Sequence, residues 1–232
     1  MNKKGKSNLD ELLGGVIKRE ANIMLIGPPM SGKKIISNYL MYHGAAKNEN
    51  AVIEVNTYEP GYLILERLKE SKSNLTLSKV GIVDCITEMI GIDSYEDESI
   101  KIASSPFDLT DIGIKISQYF EKFFEQKNIR KIQLNIDSLS TLLMYSNIKI
   151  VFRFLQVFTG RIKAAGGLGI YVIESGVHDL REITALSQLF DGMIEIKSET
   201  DKNFLRIVGL SPKPTQWLEY EITNLGILGK TA

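Results

Sequence analysis

The chain has 232 residues, 44% of them hydrophobic, which is enough apolar material for a substantial core. Lys and Arg together number 28, as do Asp and Glu, so the zero net charge gives no support to a nucleic-acid or anionic-membrane binder. The one cysteine cannot form an internal disulfide, and two histidines do not complete a zinc site. We expect residues 1–8, with their basic MNKKGK stretch, to be a disordered tail, and residues 9–232 to form a single domain. No apolar run reaches membrane-spanning length, so the expected location is cytoplasmic, with no membrane partner.

Short β-branched runs alternate with helical patterns, which is typical of an α/β fold with a mostly parallel sheet flanked by helices. The predicted strands are residues 22–27, 51–56, 80–85, 131–137 and 169–175. Helices are predicted between them at residues 32–46, 62–69, 109–126 and 148–165. An irregular segment is expected at residues 86–108. Towards the C-terminus, GMIEIKSETDKNFLRIVGL predicts an antiparallel hairpin, and WLEYEIT predicts one more edge strand.

The segment NIMLIGPPMSGKKIISNYL joins a buried strand to an amphipathic helix through a loop rich in glycine and proline. It follows the phosphate-binding pattern G-x-x-x-x-G-K-[ST], in which backbone N–H groups surround phosphate oxygens and a helix N-terminus points at them. The pattern predicts a nucleotide-phosphate site, and the alternative is a strand-to-helix turn shaped by steric needs alone. The residues within the pattern are Gly27, Pro28, Pro29, Met30, Ser31, Gly32 and Lys33.

The last position of the motif is Lys34, where a Ser or Thr hydroxyl would ligate Mg²⁺. An ammonium cannot ligate a cation, and Ser31 lies three residues too early to replace the hydroxyl. We therefore expect a damaged Mg²⁺ site. Two interpretations of Lys34 stay open: its ammonium supplies part of the charge of the metal ion, or it turns outward to solvent.

Two acidic residues are placed to complete such a site. Asp137 ends the strand KIQLNID, where phosphate-binding-loop proteins position Mg²⁺ through a water, although Asp-Ser at a strand end also serves as a turn or helix cap. Glu59 follows the second strand, where it would orient an attacking water or interact with the next helix N-terminus. His178 and Asp179 follow the fifth strand and are expected to be a loop pair.

With these pieces in order, the chain resembles the RecA-superfamily ATPases, and in particular their KaiC-like (RadA-paralogue) branch, common in archaea. The resemblance extends over residues 9–223 and rests on LDELLGGVIKREANIMLIGPPMSGK, SSPFDLTDIGIKIS, NIDSLSTLL, IYVIESGVHD, LFDGMIEIK and LRIVGLSPKPTQWLEYEI. It implies a RecA-like core with ATP or ADP in the loop, and assembly as a homo-oligomer or with a paralogue subunit. It also implies that Ser175, after the fifth strand, occupies the place of a polar group that senses the γ-phosphate.

The chain departs from this family at three parts of a hydrolytic site. Lys34 replaces the metal-binding hydroxyl, and Tyr58 occupies the catalytic-base position, with Glu59 beside it. Where many members carry a K-x-R element, IVGLSPKPT offers only Lys213. Each loss would lower the rate by on the order of a hundredfold, and an unperturbed tyrosine is protonated at neutral pH. We therefore expect nucleotide binding with weak or no hydrolysis, in a regulatory or assembly role.

Two other functions stay open. An active ATPase of the same fold, acting in DNA recombination or repair as a RadA paralogue, would show a magnesium-dependent rate. It would also need a basic, aromatic surface for single-stranded DNA, which the balanced charge does not support. A non-enzymatic scaffold with an empty loop would gain no stability from nucleotide.

Overall fold

A computed structural model describes residues 17, 20–43, 45, 50–70, 76–93, 97–223 and 226–229. The tail predicted at residues 1–8 lies outside the described residues. Ten strands of the described chain form one sheet. They are β1 (Asn22–Gly27), β2 (Ala51–Asn56), β3 (Val80–Asp84), β4 (Ile100–Ile102), β5 (Ile132–Asp137), β6 (Gly169–Glu174), β7 (Gly192–Glu199), β8 (Lys202–Val208), β9 (Leu218–Thr223) and β10 (Gly226–Gly229).

Helices connect the parallel strands and flank the sheet. They are α1 (Lys33–Asn38), α2 (Gly61–Glu70), α3 (Leu109–Glu121), α4 (Leu139–Tyr145), α5 (Ile148–Ala164) and α6 (Leu180–Ser187). Helices α1 and α3 continue into π-helical turns at Tyr39–His43 and Lys122–Gln126, and a 3₁₀ turn, Leu77–Lys79, precedes β3. Within the described residues, none of these helices combines the length and hydropathy that a membrane span requires.

The strand order is β10-β9-β8-β7-β1-β6-β5-β2-β3-β4. All neighbours from β7 to β4 pair in parallel, and β7, β8, β9 and β10 pair antiparallel in succession. This confirms the predicted α/β class, with a mostly parallel sheet and antiparallel C-terminal strands. Because parallel strands end at one edge, the loop after β1, the turn after β2 and the end of β5 lie at the same edge of the sheet.

The central strands are buried on both faces, which is why they appear in the sequence as nearly continuous apolar runs. On one face Ile53 and Leu134 belong to a core that includes apolar residues of α3 and α5. On the other face Ile23 and Leu25 pack in a cluster with Ile36 of α1 and with β7 and β8. Helix α1, which follows the glycine-rich loop, is therefore held against the sheet by its apolar side.

Several elements differ from the sequence-based expectation. The segment predicted as irregular contains β4, which is only three residues long and too short to show a period. Helices α4 and α6 were not predicted, and the helix predicted at residues 32–46 is α1 followed by a π-helical turn. The strand WLEYEIT forms β9, but it is not the edge, because β10 pairs outside it.

Candidate functional site

The Gly27–Lys34 loop connects β1 to α1, and its conformation depends on glycine at one position. Gly32 has a φ of 79°, and a Cβ there would lie 2.5 Å from the Cδ1 of Ile222 in β9. Met30 also has a positive φ, 59°. The buried Tyr220 of β9 donates its hydroxyl to the carbonyl of Ser31 at 2.5 Å. The antiparallel C-terminal strands therefore brace this loop.

The hydroxyl of Ser31 is used inside the loop. It donates to the carbonyl of Pro28 at 2.8 Å, and Ser31 is buried. Pro29 and Met30 are exposed at the tip. The Ser31 hydroxyl is thus directed back into the turn and does not stand in for the hydroxyl missing at Lys34.

Lys33 is buried at the mouth of the loop, with only 5% of its side chain exposed. Its ammonium donates to the carboxylate of Glu174 at 2.7 Å and to the carbonyl of Pro28 at 2.5 Å. Glu174 ends β6, and its backbone N–H donates to the hydroxyl of Ser140 in α4 at 2.8 Å. The loop lysine is therefore held by an acidic partner from the neighbouring strand.

Lys34 takes part in a second ionic group, together with Glu59 and Arg67. The Lys34 ammonium donates to one oxygen of Glu59. Arg67 of α2 binds the same carboxylate with two nitrogens, at 2.8 and 2.6 Å. The Arg67 guanidinium, followed by Lys34, holds the pKa of Glu59 down at about 2. Because both oxygens of Glu59 accept from cations, this carboxylate is poorly placed to activate a water.

Two further carboxyl groups lie buried beside Lys34. Asp137, at the end of β5, has its pKa raised to about 6 by burial, and the Lys34 ammonium is the main group that opposes this rise. Glu54 in β2 is 2% exposed, and burial followed by the charge of Asp137 raises its pKa to about 8. The Lys34 ammonium also acts on Glu54. One cation thus interacts with the carboxyl groups of Glu59, Asp137 and Glu54.

The inner face of α1 covers a polar strip of the sheet. Glu54 lies opposite Asn135 in the register between β2 and β5, and Asn135 accepts a hydrogen bond from the Ser37 hydroxyl at 2.8 Å. Several buried polar atoms near this helix and these strands have no hydrogen-bond partner in the described structure, and polar interiors of this kind commonly hold water. These atoms are Glu54 Oε2, Gln133 Oε1, Asn135 Nδ2, Asn38 Oδ1 and Tyr42 Oη.

Tyr58, predicted at the catalytic-base position, is half exposed at the same edge of the sheet. Its backbone N–H donates to the Asn56 side chain at 3.3 Å, and its side chain lies near Ser138 and Thr141. Burial raises the pKa of the phenol above its ordinary value. Tyr58 therefore keeps its proton at neutral pH and does not offer a phenolate base.

The residues predicted after the fifth strand lie in different environments. The backbone N–H of Ser175 donates to the carbonyl of Gly27 at 2.8 Å, so this residue begins the turn beside the loop. Asp179 caps α6 by accepting from the backbone of Arg181 at 2.8 Å, and burial lowers the pKa of His178. Lys213 is exposed between β8 and β9.

Three charged residues of this site, Glu174, Arg67 and Glu54, were not predicted from the sequence. Glu174 lies in the fifth predicted strand, and its contact with Lys33 requires β6 to lie beside β1. Arg67 is an ordinary helix residue in the sequence. Glu54, a charged residue within the otherwise apolar AVIEVN, was the one available signal, because an ionisable residue in a buried strand is unusual.

The residues at this site do not fit the Mg²⁺ that RecA-type proteins use. Lys34 puts an ammonium where a hydroxyl ligand is required, and Asp137, the one expected partner of the ion, interacts with that ammonium. Among the described residues, no three His, Cys, Asp or Glu side chains are grouped so that they could hold a metal ion. The loop itself keeps Gly27, Gly32 and Lys33, the residues that the phosphate-binding pattern requires.

Comparison with known proteins gives a family and a fold. Residues 21–196 match the family described as "Family of unknown function (DUF7504)". No curated protein matches the chain. Among solved structures, it is similar to a KaiC-like protein from the hyperthermophilic archaeon Pyrococcus horikoshii OT3, with a TM-score of 0.67 and 18% identity over 99% of this chain and 98% of that one. This likeness shows that the fold is the RecA-like fold of a KaiC-like protein. Because the family match covers most of its length, the chain belongs to the DUF7504 family.

Proposed function

We propose that the Gly27–Lys34 loop binds the phosphates of ATP or ADP without requiring Mg²⁺. The observation that carries this proposal is the position of the Lys34 ammonium, bonded to Glu59 and acting on Asp137. An ammonium between the loop and the strand-end carboxylate supplies positive charge where a P-loop protein has its metal ion. Lys33 and the backbone N–H groups of the loop would hold the phosphate oxygens.

The same geometry supports weak or absent hydrolysis. Glu59 is engaged by two cations, Glu174 is engaged by Lys33, and Tyr58 keeps its proton. Glu54 is enclosed beneath α1 and inaccessible to a substrate water. Asp137, with a pKa of about 6, is ionised at neutral pH, but it is 3% exposed and interacts with the Lys34 ammonium. No carboxyl group described around the loop is therefore well placed to accept a proton from water, and a missing general base lowers the rate by about a hundredfold or more.

The role that follows is a nucleotide-responsive regulatory or assembly protein rather than an efficient ATPase. Nucleotide would act by changing the ion pairs around Lys33 and Lys34. Those pairs link the loop to β6 through Glu174 and to α2 through Glu59 and Arg67. We further propose that residues 9–232 act as one domain and that copies of this chain or a paralogue subunit meet at the nucleotide site, as the KaiC-like resemblance implies.

The Lys34→Thr variant tests the proposal by restoring the hydroxyl that a metal ion needs. Binding of a fluorescent ATP analogue is measured in Mg²⁺ and in EDTA. The wild-type protein should bind equally in both, within about twofold. In EDTA the variant should bind the analogue on the order of tenfold or more weakly than the wild-type protein, because the charged contact of Lys34 with phosphate is lost. Adding Mg²⁺ should restore the affinity, because the threonine hydroxyl contributes through the metal ion.

Two controls define the outcome. Lys149→Thr removes an exposed lysine at the start of α5 and should leave binding unchanged. Lys33→Ala should abolish binding in both conditions. Wild-type binding that depends on Mg²⁺ would contradict the proposed role of Lys34. Rapid magnesium-dependent phosphate release would favour the active ATPase of DNA repair, and absence of nucleotide binding would favour the scaffold.

A further inference from the structure

A second cleft, of about 480 Å³, opens at the amino-terminal edge of the sheet. It lies where β2, β3 and β5 begin, whereas the Gly27–Lys34 loop lies where β1 ends. Strands of this length separate the two edges by roughly 17–20 Å, so the cleft is distinct from the nucleotide site. Its lining includes Lys79, Lys127, Arg130, Lys131, Asn50 and Ser78.

The charge of this cleft is one-sided. Of the described residues that line it, four are cationic and none is acidic, although the whole chain has no net charge. Arg130 and Lys131 are exposed and form no ion pair within the described part of the chain. Lys127 donates to the carbonyl of Ser78, and burial together with the charge of Lys122 lowers its pKa. Arg130 and Lys131 thus bring two positive charges to the cleft that no described carboxylate pairs with, whereas Glu98 acts on Lys127.

Neutral hydrogen-bonding groups accompany these cations. Asn50 is buried, with 6% of its surface exposed, and it lines the cleft. Ser78 and Asn128 are exposed in the same lining. None of the described lining residues is aromatic, so the cleft has no platform on which a nucleobase would stack. Charge with amide and hydroxyl donors suits phosphate oxygens better than a base.

We propose that this cleft binds a compact anion with two or more phosphate groups, independently of nucleotide in the Gly27–Lys34 loop. Arg130 offers a planar fork for two phosphate oxygens, and Lys127 and Lys131 supply point charges beside it. Asn50 donates its amide from the floor of the cleft. An anion there gives Arg130 and Lys131 the acidic partner that they lack among the described residues.

Inorganic tripolyphosphate is the probe, and isothermal titration calorimetry is the measurement. The titration uses the Lys33→Ala protein, so that binding at the loop does not contribute. Adding Arg130→Ser and Lys131→Ser should weaken tripolyphosphate binding by about tenfold or more, because two charge-assisted contacts are lost. Both side chains are exposed, so the fold should be retained, which thermal unfolding checks.

The matched control adds Lys149→Ser and Lys213→Ser instead, two exposed lysines whose loss changes the net charge equally. If this control binds tripolyphosphate within about twofold of the Lys33→Ala protein, the binding is specific to the cleft, because distant charges are screened and contribute little. Equal weakening in both double variants overturns the proposal, as does failure of the Lys33→Ala protein to bind tripolyphosphate. The proposal is also overturned if the protein binds a single-stranded oligonucleotide but not tripolyphosphate, and if the Arg130→Ser and Lys131→Ser substitutions abolish that oligonucleotide binding. The cleft would then be a nucleic-acid surface.

Discussion

The Glu54→Gln variant should become more stable relative to wild type as the pH rises. Glu54 is buried in β2, and its pKa is raised from 4.5 to about 8. Because the folded carboxyl keeps its proton to a higher pH than the unfolded one, the folded state binds more protons between these two values. The stability of the wild-type protein therefore falls as the pH rises through this window.

The size of the effect follows from this shift in pKa. Each pH unit well inside the window lowers the free energy of unfolding by about 1.4 kcal/mol. Between pH 6 and pH 8 the loss is about 2 kcal/mol, because ionisation of the folded state begins near the upper limit. A glutamine at position 54 does not titrate. The difference in stability between variant and wild type should change by this amount, and a pH-independent effect of the amide cancels in the comparison.

Urea denaturation of both proteins at the two pH values provides the measurement. Glu66→Gln, which removes an exposed carboxylate of α2, is the matched control. Its free energy of unfolding should change with pH as that of the wild-type protein does. Parallel pH dependence for Glu54→Gln and wild type would refute the reasoning, because it would mean that Glu54 does not hold its proton when folded.

Three further predictions concern the loop, the sheet and the tyrosine. Glu174→Gln removes the carboxylate that binds the Lys33 ammonium and competes with phosphate for it, so a fluorescent nucleotide should bind about three- to tenfold more tightly. Weaker binding would contradict this competition. Gly167→Ala places a Cβ 1.8 Å from the carbonyl oxygen of Ile132, so urea denaturation should show a loss of about 3 kcal/mol, and a loss below about 1 kcal/mol would contradict that packing. Tyr58→Phe removes a protonated hydroxyl, so phosphate release should change by less than about twofold, and a hundredfold loss would mean that Tyr58 is the base.

Much of the fold was predictable because the central strands are buried on both faces. Runs such as NIMLIG and KIQLNID are apolar and bounded by glycine, proline or polar residues, so β1 and β5 were visible in the sequence. β4 was not, since its three residues are only partly buried and its pairing with β3 is tertiary. Helix α4 was missed because Ser138, which caps it, follows β5 with no loop to separate the two.

The loop of the candidate site was also predictable, but the charges around it were not. The pattern at Gly27 and Lys33 is local, whereas the partners of its lysines come from three other elements. Glu174 reaches Lys33 because β6 lies beside β1, and Glu54 comes under α1 because β2 lies beside β5. Strand order is a property of the whole sheet, so these contacts could not be inferred from spacing in the sequence.

Nucleotide binding to this loop without a metal ion can be measured on the wild-type protein alone. A thermal-unfolding titration of the wild-type protein with ATP and ADP, in Mg²⁺ and in EDTA, tests it most directly, because a ligand that binds only the folded state raises its stability by mass action. We expect a rise in Tm that grows with nucleotide concentration and is the same in both conditions. A rise that appears only with Mg²⁺, or no rise with either nucleotide, would contradict metal-independent binding.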